Sequence, residues 1–296
     1  MVVVTGGTGF LGRALVAALL AKGRSVAVVT RDPARAKLPS GARAVAWEEL
    51  PAAVDGADAV VNLAGETIAQ RWTAAARARI VSSREEAAAK VGVALRAAKA
   101  RPAVLLNASA VGFYGDRGDE ELTEASPAGA GFLADTVRAW EEAARRAAPE
   151  GVRLVLPRIG VVLGEEGGAL AKMLLPFRLG LGGPLGSGAQ WMPWVHRDDL
   201  VALLVAALDD PRYAGPVNAT TPNPSTMKEF AATHGKVLRR PAFAPAPAFA
   251  IRAAMGEMAS LVLDGQRALP AKATALGFRF RFERLEAALR DLLSRG

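Results

Sequence analysis

Strands alternating with helices from the amino terminus, a glycine-rich turn joining the first strand to the first helix, and a change of texture after about Gly164 predict the fold class. It is α/β: a Rossmann-type doubly wound parallel sheet with a smaller α+β C-terminal domain. Val2 to Val4 is a short β-branched run, and Thr5-Gly6-Gly7-Thr8-Gly9-Phe10-Leu11-Gly12 turns the chain into an apolar helical stretch, Arg13 to Lys22, which Gly23 stops. Ser25 to Thr30 reads as a second buried strand, ended by Arg31-Asp32-Pro33. Asp58 to Gly65 is a further strand running into a glycine turn, and an alanine-rich helix from about Ser83 to Ala100 precedes a strand at Val104 to Ala108. A helix near Leu133 to Ala148 and a strand at Arg153 to Leu156 complete the regular part.

Beyond Gly164, Gly180 to Gly188 is rich in glycine and three prolines fall between Pro216 and Pro224. Helical stretches persist at Arg197 to Leu208, Thr226 to Leu238 and Leu285 to Leu293, with Pro241 to Pro247 as an ordered loop or linker. The expected organisation is a nucleotide-binding domain over 1–164 plus about 195–220, and a smaller substrate domain over 165–194 and 221–296.

Composition narrows the function classes. At 296 residues and 51% hydrophobic, the chain has material for a sizeable core. Its longest apolar runs, such as Val2 to Val4 and Ala14 to Ala21, fall short of the roughly 18 residues of a spanning helix, so no membrane partner is expected. Met1 leads straight into the first strand with no basic leader, and the expected location is cytoplasmic. Cysteine is absent, which removes disulfides, thiolate nucleophiles and thiolate-bound metals. His196 and His234 are far apart and form no paired helical motif, so no metal is expected. The net charge of +8 raises nucleic acid as a partner, but the arginines are spread along alanine-rich helices, so none is expected.

Gly6, Gly9 and Gly12 follow a strand and open a helix, where backbone amides and the helix N-terminus hold a pyrophosphate. Gly6 serves the turn, Gly9 the approach of phosphate, and Gly12 the packing of helix on strand. The candidate cofactor set is Gly6, Thr8, Gly9, Phe10, Leu11 and Gly12, with Asn62, Leu63, Ala64 and Gly65 at the later strand end and Arg31 after the second strand. Where an NAD enzyme presents a carboxylate to the ribose, this chain has Thr30 followed by Arg31, which suits the 2′-phosphate of NADP(H). If Asp32 occupies the carboxylate position instead, NAD(H) is accommodated.

These residues make the chain resemble the extended short-chain dehydrogenases/reductases. The resemblance is closest to the "epimerase family" subgroup related to bacterial YfcH. It is carried by Thr5 to Gly12, Asn62 to Glu66, Arg71-Trp72, Ala108 to Gly115, Gly182 to Gly188, Gln190 to His196, Asp198 to Leu200, Asn218 to Thr220 and Pro222 to Pro224. Gly256 to Met258, Gln266-Arg267 and Pro270 resemble that subgroup's C-terminal domain of unassigned function. The resemblance implies an NADP-binding domain, a small C-terminal substrate domain and a cleft between them. It supplies no substrate.

Ordinary short-chain reductases carry a Tyr-x-x-x-Lys pair: tyrosinate moves the proton and lysine lowers its pKa. Here Gly118 stands four residues after Tyr114 and Val217 four after Tyr213, so neither tyrosine has the lysine. The positions where extended relatives keep the pair, near Leu133 and Val137, hold no acid-base group. Ser109 and Tyr114 are the local substitutes, alternatively a strand-end hydrogen bonder and a turn-packing ring, with Ala110 as another register for the hydroxyl. His196 is a candidate proton shuttle, or else a satisfied histidine bonded near Asp198 or Asp199. Substrate contacts are assigned to Glu66, Arg71, Trp72, Arg158, Trp191 and Trp194, with Glu66 also a candidate acid or base.

Two readings follow. One is an NADP(H)-dependent epimerase or oxidoreductase acting on an unidentified small polar molecule, with or without a nucleotide attached; the other is a non-catalytic NADP(H) sensor that binds a protein partner. Homodimerisation through a helical face is compatible with either.

Overall fold

The computed structural model describes residues 1–294. Its strands are β1 (Val2–Thr5), β2 (Val26–Thr30), β3 (Ala42–Ala46), β4 (Ala59–Asn62), β5 (Val104–Asn107), β6 (Ser109–Ala110), β7 (Glu121–Leu122), β8 (Arg153–Ile159), β9 (Val161–Leu163), β10 (Trp191–Met192), β11 (Trp194–His196), β12 (Gly215–Ala219), β13 (Ser225–Thr226) and β14 (Arg267–Ala268). The helices used below are α1 (Phe10–Ala21), α2 (Leu50–Val54), α3 (Ala74–Ala97), α4 (Phe132–Ala147), α5 (Gly168–Arg178), α6 (Arg197–Asp209), α7 (Met227–Leu238), α8 (Ala248–Met255), α9 (Ser260–Leu263), α10 (Ala271–Ala275) and α11 (Leu285–Leu293).

The main sheet runs β12-β8-β5-β4-β1-β2-β3, with β6 beside β8, and all its pairings are parallel. Parallel strands covered on both faces read as continuous apolar runs, and β1, β4 and β5 are buried at every position. One face packs on α1 and α6 through Leu15, Leu19, Leu200 and Leu204. The other packs on α2, α3 and α4 through Leu50, Val91, Leu95 and Ala143. The strand order reverses between β1 and β4, and ligands of such sheets bind outside the carboxyl ends of strands at that point.

The sequence reading missed β3 and α2, and with them β12 at the sheet edge and α5, α8 and α10 of the second half. β3 offers only Val45 as a fully buried side chain, so its periodicity is faint, and α2 is a single turn. α3 begins at Ala74, well before Ser83, because the Thr73 hydroxyl accepts the Ala76 N–H and caps it.

A third apolar cluster joins Leu163, Leu170, Met192, Trp194, Met227, Phe230, Phe282 and Leu289, so α5, β10, β11, α7 and α11 form a lobe beside the sheet. The tail is divided between the two parts, since Ala273 and Phe280 pack into the core under α6. The buried Asp199 carboxylate fixes that crossing by accepting the N–H groups of Arg281 and Phe282. No helix among the described residues is long and apolar enough to cross a membrane.

Candidate functional site

The turn between β1 and α1 leaves no room for side chains. A Cβ on Gly12 would lie 2.2 Å from the Gly6 carbonyl oxygen, and one on Gly6 would lie 2.7 Å from the Leu63 backbone at the end of β4. Gly6 also has φ +69°. Gly7 is equally constrained, by Val28 at 2.6 Å, a requirement the sequence did not signal. Gly9 is different: its N–H donates to the Gly6 carbonyl, and its Cβ would meet only that oxygen, at 3.3 Å. It caps α1 with no side-chain acceptor and no acid in the first turn, so the first N–H groups of the helix stay open to an anion. Thr8 is exposed, and Phe10 and Leu11 are half-buried. The Phe10 ring is enclosed by Gly164, Gly167 and Gly168, where added Cβ atoms would lie 2.4, 2.8 and 3.3 Å away, so the turn carries the start of α5 on its back.

At the end of β2, Arg31 is exposed, while the Asp32 carboxylate accepts the Arg35 N–H at 3.2 Å. That carboxylate is part of a local turn, and the cation beside it faces solvent.

The carboxyl ends of β1, β4 and β5 are tied by buried amides. Thr5 Oγ1 donates to Asn62 Oδ1 at 2.5 Å and Asn62 Nδ2 to Asn107 Oδ1 at 2.6 Å, all three residues fully buried. Asn62 therefore acts as a rung between strands, and it is Leu63, Ala64 and Gly65 that reach the surface of the strand end.

Ser109, Tyr114 and Arg158, read from the sequence as separate candidates, are joined in one buried network. Ser109 Oγ donates to Glu141 Oε1 at 2.7 Å, and Arg158 pairs with the same carboxylate through Nε at 2.8 Å and Nη2 at 3.1 Å. Arg158 Nη1 donates to the Tyr114 hydroxyl at 3.0 Å, and that hydroxyl lies 2.6 Å from Asn218 Oδ1 and 2.9 Å from the Thr123 carbonyl. The guanidinium also lies 3.5 Å from the Phe113 ring centre. Burial pushes the Tyr114 hydroxyl above its ordinary pKa, against the opposing pull of Arg158. Burial alone would lower Arg158, but Glu141 and Tyr114 raise it, so it stays charged. Tyr114 is 0% exposed and Ser109 2%, so neither presents an oxygen to the cleft. Strand alternation turns the half-buried Ala110 the other way.

His196 and Trp194 belong to the lobe's interior. His196 Nδ1 accepts the Asp198 N–H at 3.1 Å and caps α6, its ring stacks on Phe282 at 3.9 Å, and Nε2 lies 3.3 Å from Asp291 Oδ2. His196, Asp198 and Asp291 bring possible ligand atoms within 4.8 Å of one another, but one ring nitrogen is taken by the cap. Trp194 is fully buried in the third cluster. Trp191, half-buried, donates Nε1 to Asp119 Oδ1 at 2.7 Å and lies under Arg267 at 4.6 Å.

The loop after β4 holds the remaining candidates. Glu66 is half-buried; its N–H donates to Ser83 Oγ and its Oε1 accepts from Gln70 Nε2. Arg71 is exposed. Trp72 is buried, donating Nε1 to the Ile68 carbonyl and meeting Phe132 edge-on at 4.9 Å. Behind this loop lie residues that sequence reasoning missed. Arg77 of α3 lies over Phe132 at 4.4 Å and pairs with Glu257 at 2.6 Å, bridging the nucleotide-binding part to the turn between α8 and α9. Arg84, two helical turns later, lies over Trp140 at 4.9 Å. Their signal was the seven-residue spacing of two arginines on one helix, legible only once α3 was known to begin at Ala74.

Comparison with known proteins agrees with this geometry. The family described as NAD dependent epimerase/dehydratase family matches residues 2–219, and a domain of unknown function, DUF1731, matches 246–292. An epimerase family protein, the SDR39U1 homolog, chloroplastic, of Arabidopsis thaliana is 44% identical over 98% of this chain and 86% of its own length. The epimerase family protein YfhF of Bacillus subtilis is 39% identical over 99% of this chain and 98% of its own. The crystal structure of human epimerase family protein SDR39U1 (isoform 2) with NADPH superposes with a TM-score of 0.93 at 38% identity, covering 100% of this chain and 99% of that one.

Proposed function

We propose, from the premise that this chain belongs to the NAD dependent epimerase/dehydratase family, that it binds NADP(H) and performs an epimerase- or oxidoreductase-like reaction on a small polar molecule without a tyrosine-lysine pair. The observation that carries this reading is the α1 N-terminus: a glycine cradle that added side chains would fill, with no internal cap on its open N–H groups. The solved human relative was crystallised with NADPH, which supports the same cofactor here. Gly6 to Gly12 would hold the pyrophosphate, and the exposed Arg31 the 2′-phosphate. The nicotinamide, when bound, supplies hydride acceptance and donation. Glu66, half-exposed at the end of β4, is the candidate for moving a proton, because Ser109, Tyr114 and His196 are occupied in buried contacts.

That same occupation favours a second reading, the non-catalytic NADP(H) sensor. A fluorescence titration with NADPH and NADH tests the binding they share: tight, NADPH-preferring binding is expected, and no binding of either overturns both. Turnover with a carbonyl panel, lost on Glu66→Gln, selects the enzyme; cofactor binding without turnover selects the sensor.

A further inference from the structure

Six large apolar side chains stay exposed among the described residues, and five of them fall in two short stretches: Leu175, Leu179 and Leu181 at the end of α5, and Phe243 and Phe249 around the start of α8, each 64–81% exposed. The fold lays the two stretches side by side. Ala244 N–H donates to the Gly182 carbonyl at 3.2 Å, Ala246 N–H to the Pro184 carbonyl at 3.0 Å, and Gly186 N–H to the Ala246 carbonyl at 2.9 Å. Leu181 and Phe243 each precede a residue of this seam. Leu175 and Leu179, four residues apart, stand on one face of the helix end.

Charge is segregated in the same place. Acidic residues number 29 in 296, about one in ten, yet none occurs over 167–197 or 230–256. Lys236 is held by Glu286 at 2.8 Å, whereas the exposed Arg178, Arg239 and Arg240 pair with no carboxylate among the described residues. A Cβ on Gly180 would lie 3.4 Å from Pro241 Cγ, so the chain brings Arg178 and Arg240 to the same end of the seam. Apolar side chains grouped on a surface and rimmed by one sign of charge mark a place where something docks.

We propose that this face is the docking surface for an acidic protein segment, whose apolar side chains cover the leucines and phenylalanines while its carboxylates meet the arginines. Three features select that occupant. A second copy of this chain would set the arginines of both copies against each other, because a two-fold interface opposes a patch to itself. A membrane boundary favours Trp and Tyr, and neither occurs over 173–181 or 239–250. Arginine and phenylalanine are the side chains that protein interfaces enrich, and the guanidinium fork matches a carboxylate. Pro245 and Pro247 withhold N–H donors from the strip, so the partner reads side chains and adds no strand; an amphipathic helix suits that demand. The surface lies away from the glycine turn, and the proposal stands whether the chain is an enzyme or a sensor.

The test selects from a displayed library of random peptides of about 16 residues, enough for roughly 24 Å of helix, on the full chain. Each selected peptide is then measured on two variants, Phe243→Ser with Phe249→Ser, and Arg239→Glu with Arg240→Glu. All four positions are exposed, so both variants should unfold at the wild-type midpoint, and the second keeps the apolar side chains in place. The expected peptides are rich in Asp and Glu, with apolar residues at i, i+3, i+4 and i+7. They should bind at least about tenfold more weakly to either variant, and more weakly as salt is added. Peptides without acidic residues, peptides that bind both variants as well as the wild type, or an empty selection overturn the proposal. Phosphatidylcholine vesicles containing phosphatidylglycerol are sedimented with the same proteins, and the wild type is weighed by ultracentrifugation. Vesicle binding lost in the phenylalanine variant, with no acidic peptide selected, makes the occupant a lipid surface; self-association lost in that variant makes it a second copy. Either result also overturns the acidic segment.

Discussion

Arg158 of β8 and Glu141 of α4 face each other across the interior in a two-point ion pair, with side chains 3% and 0% exposed. Removing one partner of such a pair leaves a buried charge without compensation, which costs about 3–5 kcal/mol. Glu141→Ala is therefore expected to destabilise the protein by that amount in urea unfolding, and Arg158→Ala to cost less, because Arg145 Nη2, 3.0 Å from Glu141 Oε2, and the Ser109 hydroxyl still serve the carboxylate. The pair's coupling appears as a double variant far less destabilised than the sum of the singles. Were Arg158 a substrate ligand, its replacement would change binding while leaving the unfolding midpoint near that of the wild type.

The glycine turn separates two roles that one motif usually hides. Gly12→Ala places a Cβ 2.2 Å from a backbone oxygen that cannot move without opening the turn, so this variant should lose stability and NADPH binding together. Gly9→Ala meets only one oxygen, at 3.3 Å, and projects into the space above the open helix end. It should unfold near the wild-type midpoint while binding NADPH at least about tenfold more weakly, the loss of one charge-assisted contact. Equal stability losses in the two variants would mean that Gly9 is structural as well.

On the proposed reading, Arg31 is the cation that meets the cofactor's 2′-phosphate. With Asp32 turned into its own loop, Arg31 is the residue after β2 free to meet a 2′-phosphate. Arg31→Ala should weaken NADPH by roughly tenfold to a hundredfold and leave NADH within about twofold, measured by nicotinamide fluorescence. Parallel losses for both cofactors would remove Arg31 from the specificity role.

Those features were legible because they are local. Strand, turn and helix at Val2 to Ala21 are adjacent in the chain, and the His196 cap joins residues two apart, so the reading of His196 as bonded near Asp198 needed no tertiary knowledge. The network around Arg158 was not legible. Its partners lie 17, 44 and 104 residues apart along their hydrogen bonds, and an arginine within an apolar strand announces the need for a counter-charge without saying which carboxylate provides it. Clustering misled for the same reason. Trp191 and Trp194 are near neighbours in sequence, yet one packs into the lobe's core and the other meets Asp119 at its surface. The Arg77 and Arg84 ring contacts were hidden because alanine-rich helices give little amphipathic contrast, so the start of α3 had to be found from its Thr73 cap.

His234 gives the lobe a pH dependence that can be assigned to one side chain. Its ring is fully buried in α7, stacked on Phe177 of α5 at 4.2 Å and edge-on to Phe230 at 5.7 Å, and neither ring nitrogen has a partner among the described residues. Burial lowers it from 6.5 to about 4. The unfolded chain therefore binds a proton that the folded chain refuses between those values. The stability tied to neutral His234 is complete above about pH 6.5 and is lost as pH falls towards 4, amounting at the acid end to about 3 kcal/mol. Other carboxylates titrate in this range too, but they are common to the wild type and a His234→Leu variant of similar volume. The difference between their unfolding free energies at pH 7.5 and pH 5 isolates the imidazole. The wild type should lose about 2 kcal/mol more than His234→Leu over that interval. Identical losses in the two proteins would show that the ring is protonated in the folded lobe, and that the contact between α5 and α7 opens to water before the chain unfolds.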